Sequence, residues 1–412
     1  MNRLCLISLI LCTALFLFFP MEAFSAEEIV VGMSAAFKGP SSGLGIELYK
    51  GSRAYFDYVN DKGGVNGRKI RIVAYDDGYN PAPAIKNTIQ FIEGDKVFAL
   101  IDYVGTPTVT RVLPLLKKYS SEHVYLFFPF TGAQPHREPP YDEFVFNLRA
   151  SYQQELKGLV DNFVRIGRKR IAVFYQADAY GRSGWDGLKR ALERYGLDIV
   201  EEATYSRGAM FDQRMNEHVG ILRAASPDAI ISIGSYAACA AFIRDARDAG
   251  FDVPIANVSF VGSENLLKLL TQISEKSGRN YTVNLINSQV VPNYNDSSLP
   301  AVLLYRQLMD NSRVSPGVTD QDASYVPLKY SFTSLEGFLN ARLLVEILKR
   351  MDNPGDRGQV KKAVESIRNL DIGIDESVTF GLGVHQGLNK IYYTTVRDNR
   401  FVTIKDWQVW RK

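Results

Sequence analysis

The chain has 412 residues, 46% of them hydrophobic and 23% charged. These fractions exclude a disordered chain, a collagen and a multispan membrane protein, and the length allows two or three domains. Lys plus Arg number 48 and Asp plus Glu 45, so the formal charge is only +3, which excludes phosphate-backbone binding as the main role and with it a nucleic-acid partner.

The first 25 residues are of a different character. Arg3 gives a positive start, an almost wholly apolar run follows from Leu4 to Phe19, and Pro20 breaks it. Ala23-Phe24-Ser25 then supplies small residues, so residues 1–25 read as a secretory signal peptide cleaved after Ser25 or Ala26. An uncleaved membrane anchor is the alternative, because the run is near the short end of a spanning helix. Cys5 and Cys12 leave with the signal. Cys239 then has no internal partner and reads as a buried small hydrophobe. The removed segment contains one base, Arg3, and one acid, Glu22, so the exported charge is 47 − 44 = +3.

The exported chain alternates strands and helices. Strand-like runs at Glu28–Phe37 and Arg68–Asp76 flank a helical spacing over Gly43–Asp61 that Gly63-Gly64 stops. Pro83–Glu93 is helical and Val97–Ile101 a strand. Thr106 before Pro107 reads as a helix cap followed by proline in the first position, and Pro114 should kink or split that helix. Val124–Phe128 is the next strand. The rhythm restarts after Arg149, with helices over Ser151–Ile166, Ser183–Tyr195, Met210–Ala225, Ala237–Ala249 and Glu264–Leu270. Strands intervene at Arg170–Tyr175, Asp198–Tyr205, Asp228–Ile233 and Pro254–Val261. A long helix over Ser331–Met351 and two strands, Lys390–Val396 and Arg400–Lys405, close the chain. Two such series predict an α/β protein with two Rossmann-like lobes, each built on a parallel sheet covered on both faces.

Most chemical motifs are absent. His123, His136, His218 and His385 are scattered, with no metal-ligand spacing, so no metal is expected. There is no nucleophile elbow. Gly64–Lys69 (GVNGRK) has the wrong spacing for a phosphate loop, and Gly381-Leu382-Gly383 with Gly387 misses the dinucleotide spacing. No cofactor and no catalytic residue are therefore assigned, although a hydrolase or transferase using two loosely placed carboxylates is not excluded by motif.

What remains lies at the ends of predicted strands, where open α/β sheets bind ligands. Thr106 opens a helix whose first amides favour an anion. Thr131-Gly132-Ala133 follows a strand, and Gly132 lets backbone approach a ligand. Tyr180 and Tyr236 each stand between a strand and a helix, and Glu264 follows Val261-Gly262-Ser263. Hydroxyl and amide donors, aromatic faces and one carboxylate suit a zwitterion such as an amino acid. Each residue also has a plainer role: Thr106 as a helix cap, Glu264 as a helix N-terminal acid, the tyrosines as packing aromatics, and Gly132 as a turn residue.

Three stretches resemble the type I periplasmic binding proteins of the branched-chain amino acid transport family. They are Tyr58–Asp77 (YVNDKGGVNGRKIRIVAYDD), Ile171–Gly187 (IAVFYQADAYGRSGWDG), and Ile230–Gly250 (IISIGSYAACAAFIRDARDAG) with Phe260–Glu264 (FVGSE). The resemblance implies a non-enzymatic receptor whose lobes close on an amino acid or amino-acid-like ligand. It places Thr106, Thr131, Gly132 and Ala133 at the ligand carboxylate, Tyr180 and Tyr236 on the second lobe, and Glu264 at the ammonium. Leu44, Tyr103 and Phe130 are possible pocket walls. Gly105-Thr106-Pro107-Thr108 stands where the family often has serines, and Pro107 removes an amide donor. An aromatic, a smaller amino acid or a derivative thus fits as well as leucine, isoleucine or valine.

The resemblance also implies three chain crossings, near Arg149, Gln289 and His385. Residues 28–149 and 290–385 would form lobe 1, and residues 150–289 and 386–412 lobe 2. The expected partner is an ABC permease in the membrane, the expected location extracytoplasmic, and the expected state a monomer. A ligand-sensing role beside a chemoreceptor or sensor kinase, an exported hydrolase or transferase, and a scaffold that lost its ligand are the alternatives.

Overall fold

The structure, a computed structural model, describes residues 28–311 and 325–412; the expected signal peptide lies outside the described residues. The first sheet has the order β2-β1-β3-β4-β5, from β1 (Ile29–Ala35), β2 (Ile70–Asp76), β3 (Ala99–Ile101), β4 (Leu126–Phe127) and β5 (Val145–Phe146). All its pairings are parallel. The second sheet runs β12-β11-β10-β9-β8-β6-β7. It contains β6 (Ile171–Gln176), β7 (Glu202–Tyr205), β8 (Ala229–Ile233), β9 (Ile255–Asn257), β10 (Leu285–Gln289), β11 (Tyr392–Arg397) and β12 (Arg400–Thr403). Its first five members pair in parallel, and β11 and β12 are added antiparallel. The parallel strands β1, β3, β6, β8 and β9 are nearly all buried, as sheets covered on both faces require.

The helices are α1 (Ser42–Asn60), α2 (Pro81–Ile89), α3 (Thr106–Lys118), α4 (Tyr152–Arg165), α5 (Ala179–Glu193), α6 (Asn216–Ala224), α7 (Tyr236–Asp248), α8 (Ser263–Ser277), α9 (Pro300–Asn311), α10 (Phe332–Leu348) and α11 (Val360–Glu365). Ser151 and Gln154 form a reciprocal capping box that starts α4. Asp178 caps α5 by accepting the Tyr180 N–H at 2.9 Å, so this helix begins earlier than its apolar spacing indicates. Thr106 is not the cap of α3 but its first residue. Gly105, at φ +102°, holds the cap position, and the Thr106 hydroxyl turns elsewhere. Pro114 does not split α3, because it faces solvent while Val109, Val112, Leu113 and Leu116 hold the opposite face in the core. Residues 210–215 are loop rather than helix. Arg244 donates to the Phe211 and Gln213 carbonyls, and Asp245 accepts the Met215 N–H.

Four elements are not predicted by the apolar pattern: β5, β10, α9 and α11. In β10 the polar side chains are buried but paired. Asn287 and Gln289 donate to the Ser263 hydroxyl at 2.8 and 2.7 Å, and Ser288 donates to Glu155 at 2.6 Å. The segment after β5 and the segment before β11 are hydrogen-bonded side by side, Asn147 N–H to His385 O at 2.7 Å and Gly387 N–H to Asn147 O at 2.8 Å. Helix α10 packs on α1, on the side of the first sheet.

Candidate functional site

The C-terminal ends of both sheets face each other, and the loops leaving them form a buried junction. From the first sheet come Tyr79 after β2, the Gly105–Thr106 turn after β3, and Phe130–Ala133 after β4. The Thr106 and Thr131 hydroxyls are 2.7 Å apart, and the Ala133 N–H donates to the Thr131 hydroxyl at 3.3 Å. Gly132 is required by close approach. Its carbonyl accepts the Tyr152 N–H at 2.7 Å, and a Cβ there would lie 2.6 Å from that nitrogen. The Tyr152 hydroxyl is buried beside Thr131.

The second sheet contributes Tyr180 and Phe260. The Phe260 ring stands 4.5 Å from Tyr180, 5.3 Å from Phe130 and 6.0 Å from Tyr79, centroid to centroid. Tyr180 also meets Tyr152 at 5.3 Å. None of these five rings is more than 3% exposed. Burial holds the Tyr152 and Tyr180 hydroxyls well in their neutral form, as donors.

Beneath this block lies a buried charge cluster. The Arg149 guanidinium sits 4.8 Å from the Phe130 ring and approaches Glu155 at 3.5 Å and Glu336 at 3.4 Å. It also donates to Ser259. Glu155 accepts the Ser259 N–H at 2.8 Å and the Ser288 hydroxyl. Burial pushes Glu336 up to about 7, against the pull of Arg149. Neighbouring His136 is held neutral by burial and by the charges of Arg137 and Arg149. Among the described residues no cluster of His, Cys, Asp and Glu suits a metal ion.

The residues singled out in the sequence fall into separate places. Thr106, Thr131, Gly132, Ala133, Tyr180 and Phe130 share the junction. Tyr236 and Leu44 both pack around Gly262. The Tyr236 hydroxyl accepts the Gly43 N–H at 3.2 Å, and a Cβ on Gly262 would lie 2.7 Å from Leu44 Cδ2 and 3.3 Å from the Tyr236 ring. Tyr236 also lines an apolar groove of about 550 Å³ with Pro40, Phe211, Leu269 and Tyr325.

Glu264 does not join the junction. It is buried beside a separate groove of about 600 Å³ that α8 shares with Tyr294, Arg306 and Tyr330, and it accepts the Phe332 N–H at 3.2 Å. Burial, with Glu47 nearby, pushes it up to about 8. Tyr103 lies on the other face of the first sheet, bonded to Thr88 at 3.0 Å and facing Phe91. Sequence reasoning missed Phe260, Tyr152, Tyr79 and Arg149. The capping box before Tyr152 was its one local signal, and Phe260 stands in the same loop as Glu264.

A family model described as periplasmic binding protein matches residues 28–400. The amino acid binding protein of Pseudomonas aeruginosa is 22% identical over 232 residues, 56% of this chain and 60% of the relative. The chain thus spans about three fifths of the length of such curated relatives. A structure from Rhodopirellula baltica, of a possible leucine/isoleucine/valine-binding protein, is 30% identical with a TM-score of 0.80, covering 93% of this chain and 98% of that one. A branched-chain amino acid ABC transporter structure from Thermus thermophilus with bound valine shares the fold at 16% identity and a TM-score of 0.78, over 92% and 96% of the two chains. The relatives and fold neighbours are binding proteins, not enzymes.

Proposed function

The chain belongs to the periplasmic binding protein family, and from that premise we propose that it captures an amino acid or amino-acid-like carboxylate between its lobes and delivers it to an ABC permease. The observation that carries this reading is the hydroxyl set at the α3 N-terminus. Thr106 and Thr131 are bonded to each other, the Ala133 amide is beside them, and the buried Tyr152 hydroxyl adjoins Thr131. A carboxylate entering there would receive several donors and the positive end of a 13-residue helix. Tyr180, Phe130 and Phe260 would close over its apolar part.

Closure is a hinge motion about the three passages near Arg149, Gln289 and His385, with residues 28–149 and 290–385 moving against residues 150–289 and 386–412. The contacts that hold the lobes together here, such as the Gly43 N–H to the Tyr236 hydroxyl, belong to the closed form. That form docks on the permease by its outer faces, outside the cytoplasm, as a monomer. No helix among the described residues is long and apolar enough to cross a membrane.

The test is thermal unfolding of the protein, first unfolded and refolded to remove carried-over ligand, against a panel of amino acids and simple carboxylates. A ligand at 100 times its Kd stabilises the fold by about 2.7 kcal/mol, a rise of a few degrees. Loss of that rise in a Thr106→Val, Thr131→Val double variant supports the reading. No rise across the panel contradicts it.

A further inference from the structure

We infer that Arg137 is the positioning residue of the carboxylate site: it draws the carbonyls of Thr131 and Ala133 to itself, so that hydroxyls and amides meet the ligand and the site selects a carboxylate over its neutral amide. This rests on the cleft reading given above and concerns a residue that acts through the ligand loop. The Arg137 guanidinium donates to the carbonyls of Thr131 at 3.2 Å, Ala133 at 3.1 Å and Arg149 at 3.2 Å, and to the Gln386 side-chain oxygen. The carbonyl between the first two, that of Gly132, accepts the Tyr152 N–H at 2.7 Å. All three carbonyls of the loop are thus drawn to donors of the protein. The Thr131 hydroxyl meanwhile faces Thr106 at 2.7 Å and accepts the Ala133 N–H at 3.3 Å.

Arginine suits this place for its shape more than for its charge. The acceptors just named are neutral oxygens on three separate segments. A planar guanidinium serves several such oxygens at once in fixed directions, which a lysine ammonium on a flexible stem does not. The link also closes on itself. Gln386 donates to Gln154 at 2.7 Å, and Gln154 accepts the Ser151 N–H at 2.8 Å in the cap of α4. The next residue, Tyr152, returns to Gly132. Hydrogen bonds joined in such a network support one another. Arg149 and Gln386 stand where the proposed hinge lies, so the network also fixes the ligand loop to the hinge. Thr131 and Ala133 are fully buried. Without the guanidinium their carbonyls lose a donor, which is costly in the interior. A ligand amide can supply that donor, whereas a carboxylate is repelled by the same oxygens.

Calorimetric titration of the stripped protein with matched acids and amides tests this: L-leucine against L-leucinamide, and L-phenylalanine against L-phenylalaninamide. Where another carboxylate binds, its own primary amide completes the pair. The titrations are made on the parent, Arg137→Lys and Gln386→Ala, with circular dichroism to show that each is folded. Lysine keeps the charge and loses the planar fork, and Gln386→Ala opens the network at its far side. The expected acid-to-amide affinity ratio is lower by about tenfold or more in Arg137→Lys, and by roughly threefold in Gln386→Ala, with the acid weakened in both. A general loss of stability would weaken acid and amide alike and leave the ratio where it was. An unchanged ratio in Arg137→Lys, or in Gln386→Ala should Arg137→Lys not fold, overturns the inference and leaves the cleft reading standing. Binding of no carboxylate by the parent overturns both.

Discussion

Phe130 and Phe260 meet across the junction with ring centroids 5.3 Å apart, one ring following β4 of the first sheet and the other following β9 of the second. Both are essentially excluded from solvent. Their contact depends on the two sheets being held together, so it reports how the sheets are joined rather than the stability of either one. Truncating a buried phenylalanine removes about 3–5 kcal/mol of packing. Phe260→Ala should therefore raise the ligand Kd by more than tenfold and reduce ligand-induced stabilisation. The unliganded melting temperature should move less than the liganded one, as paired calorimetric scans would record.

Arg149 tests the buried charge cluster. Its guanidinium is 1% exposed and faces Glu155 and Glu336, which are buried too. Removing it strands two carboxylates in the interior, a change that costs about 3–5 kcal/mol. Arg149→Met should lower the urea midpoint accordingly. A loss under about 1 kcal/mol would mean that the cluster is more hydrated than its burial indicates.

Asp102 gives a pH dependence of definite sign. It follows β3, accepts from Ser52 and from Asn340 at 2.7 Å, and is pushed by burial up to about 8. Below about pH 4 the carboxyl is protonated in both the folded and unfolded chain, and the difference vanishes. Between about 4 and 8 the unfolded chain releases the proton and the fold keeps it, so stability falls as pH rises, and above 8 the penalty is constant. Asp102→Asn mimics the neutral acid. Its stability relative to the parent should improve by roughly 1 kcal/mol or more between pH 4 and pH 8, measured by urea unfolding at each pH.

Two glycines should respond oppositely. A Cβ on Gly51 in α1 would lie 1.8 Å from the Ser334 carbonyl oxygen of α10, while a Cβ on Gly220 in α6 would meet nothing within 4 Å. Gly51→Ala must push α1 from α10 and should destabilise by about 1–3 kcal/mol or more. Gly220→Ala gains helix propensity and should stabilise by about 0.5–1 kcal/mol. Melting temperatures of the two variants check both signs.

The alternation of strands and helices was legible because the strands of parallel sheets are continuous apolar runs and most helices carry an apolar stripe. Where burial is achieved by paired polar groups, as in Asn287, Ser288 and Gln289 of β10, no apolar period exists to be read. The junction was partly legible through Thr106, Gly132 and Tyr180, which stand at strand ends. Glu264 has the chemistry that suits an ammonium, and its direction is set by α8. The second residue of that helix points toward Phe332 and Tyr294, and Phe260, four positions earlier, enters the junction instead. Tyr103 illustrates the period of two. It follows β3 but faces Thr88 and Phe91 behind the sheet, whereas Val104 carries the chain on to the Gly105–Thr106 turn.

The most direct measurement is the affinity of the Thr131→Val variant for a carboxylate that binds the stripped protein, taken by titration calorimetry beside the parent. Valine keeps the shape and removes the hydroxyl that bonds Thr106 and Ala133. A hydrogen bond to a charged group is worth about 1.5–3 kcal/mol, so the account predicts a Kd raised by roughly 10- to 150-fold with an unchanged fold. An unchanged Kd would contradict it, because the carboxylate would then be held somewhere other than the hydroxyl set at the start of α3.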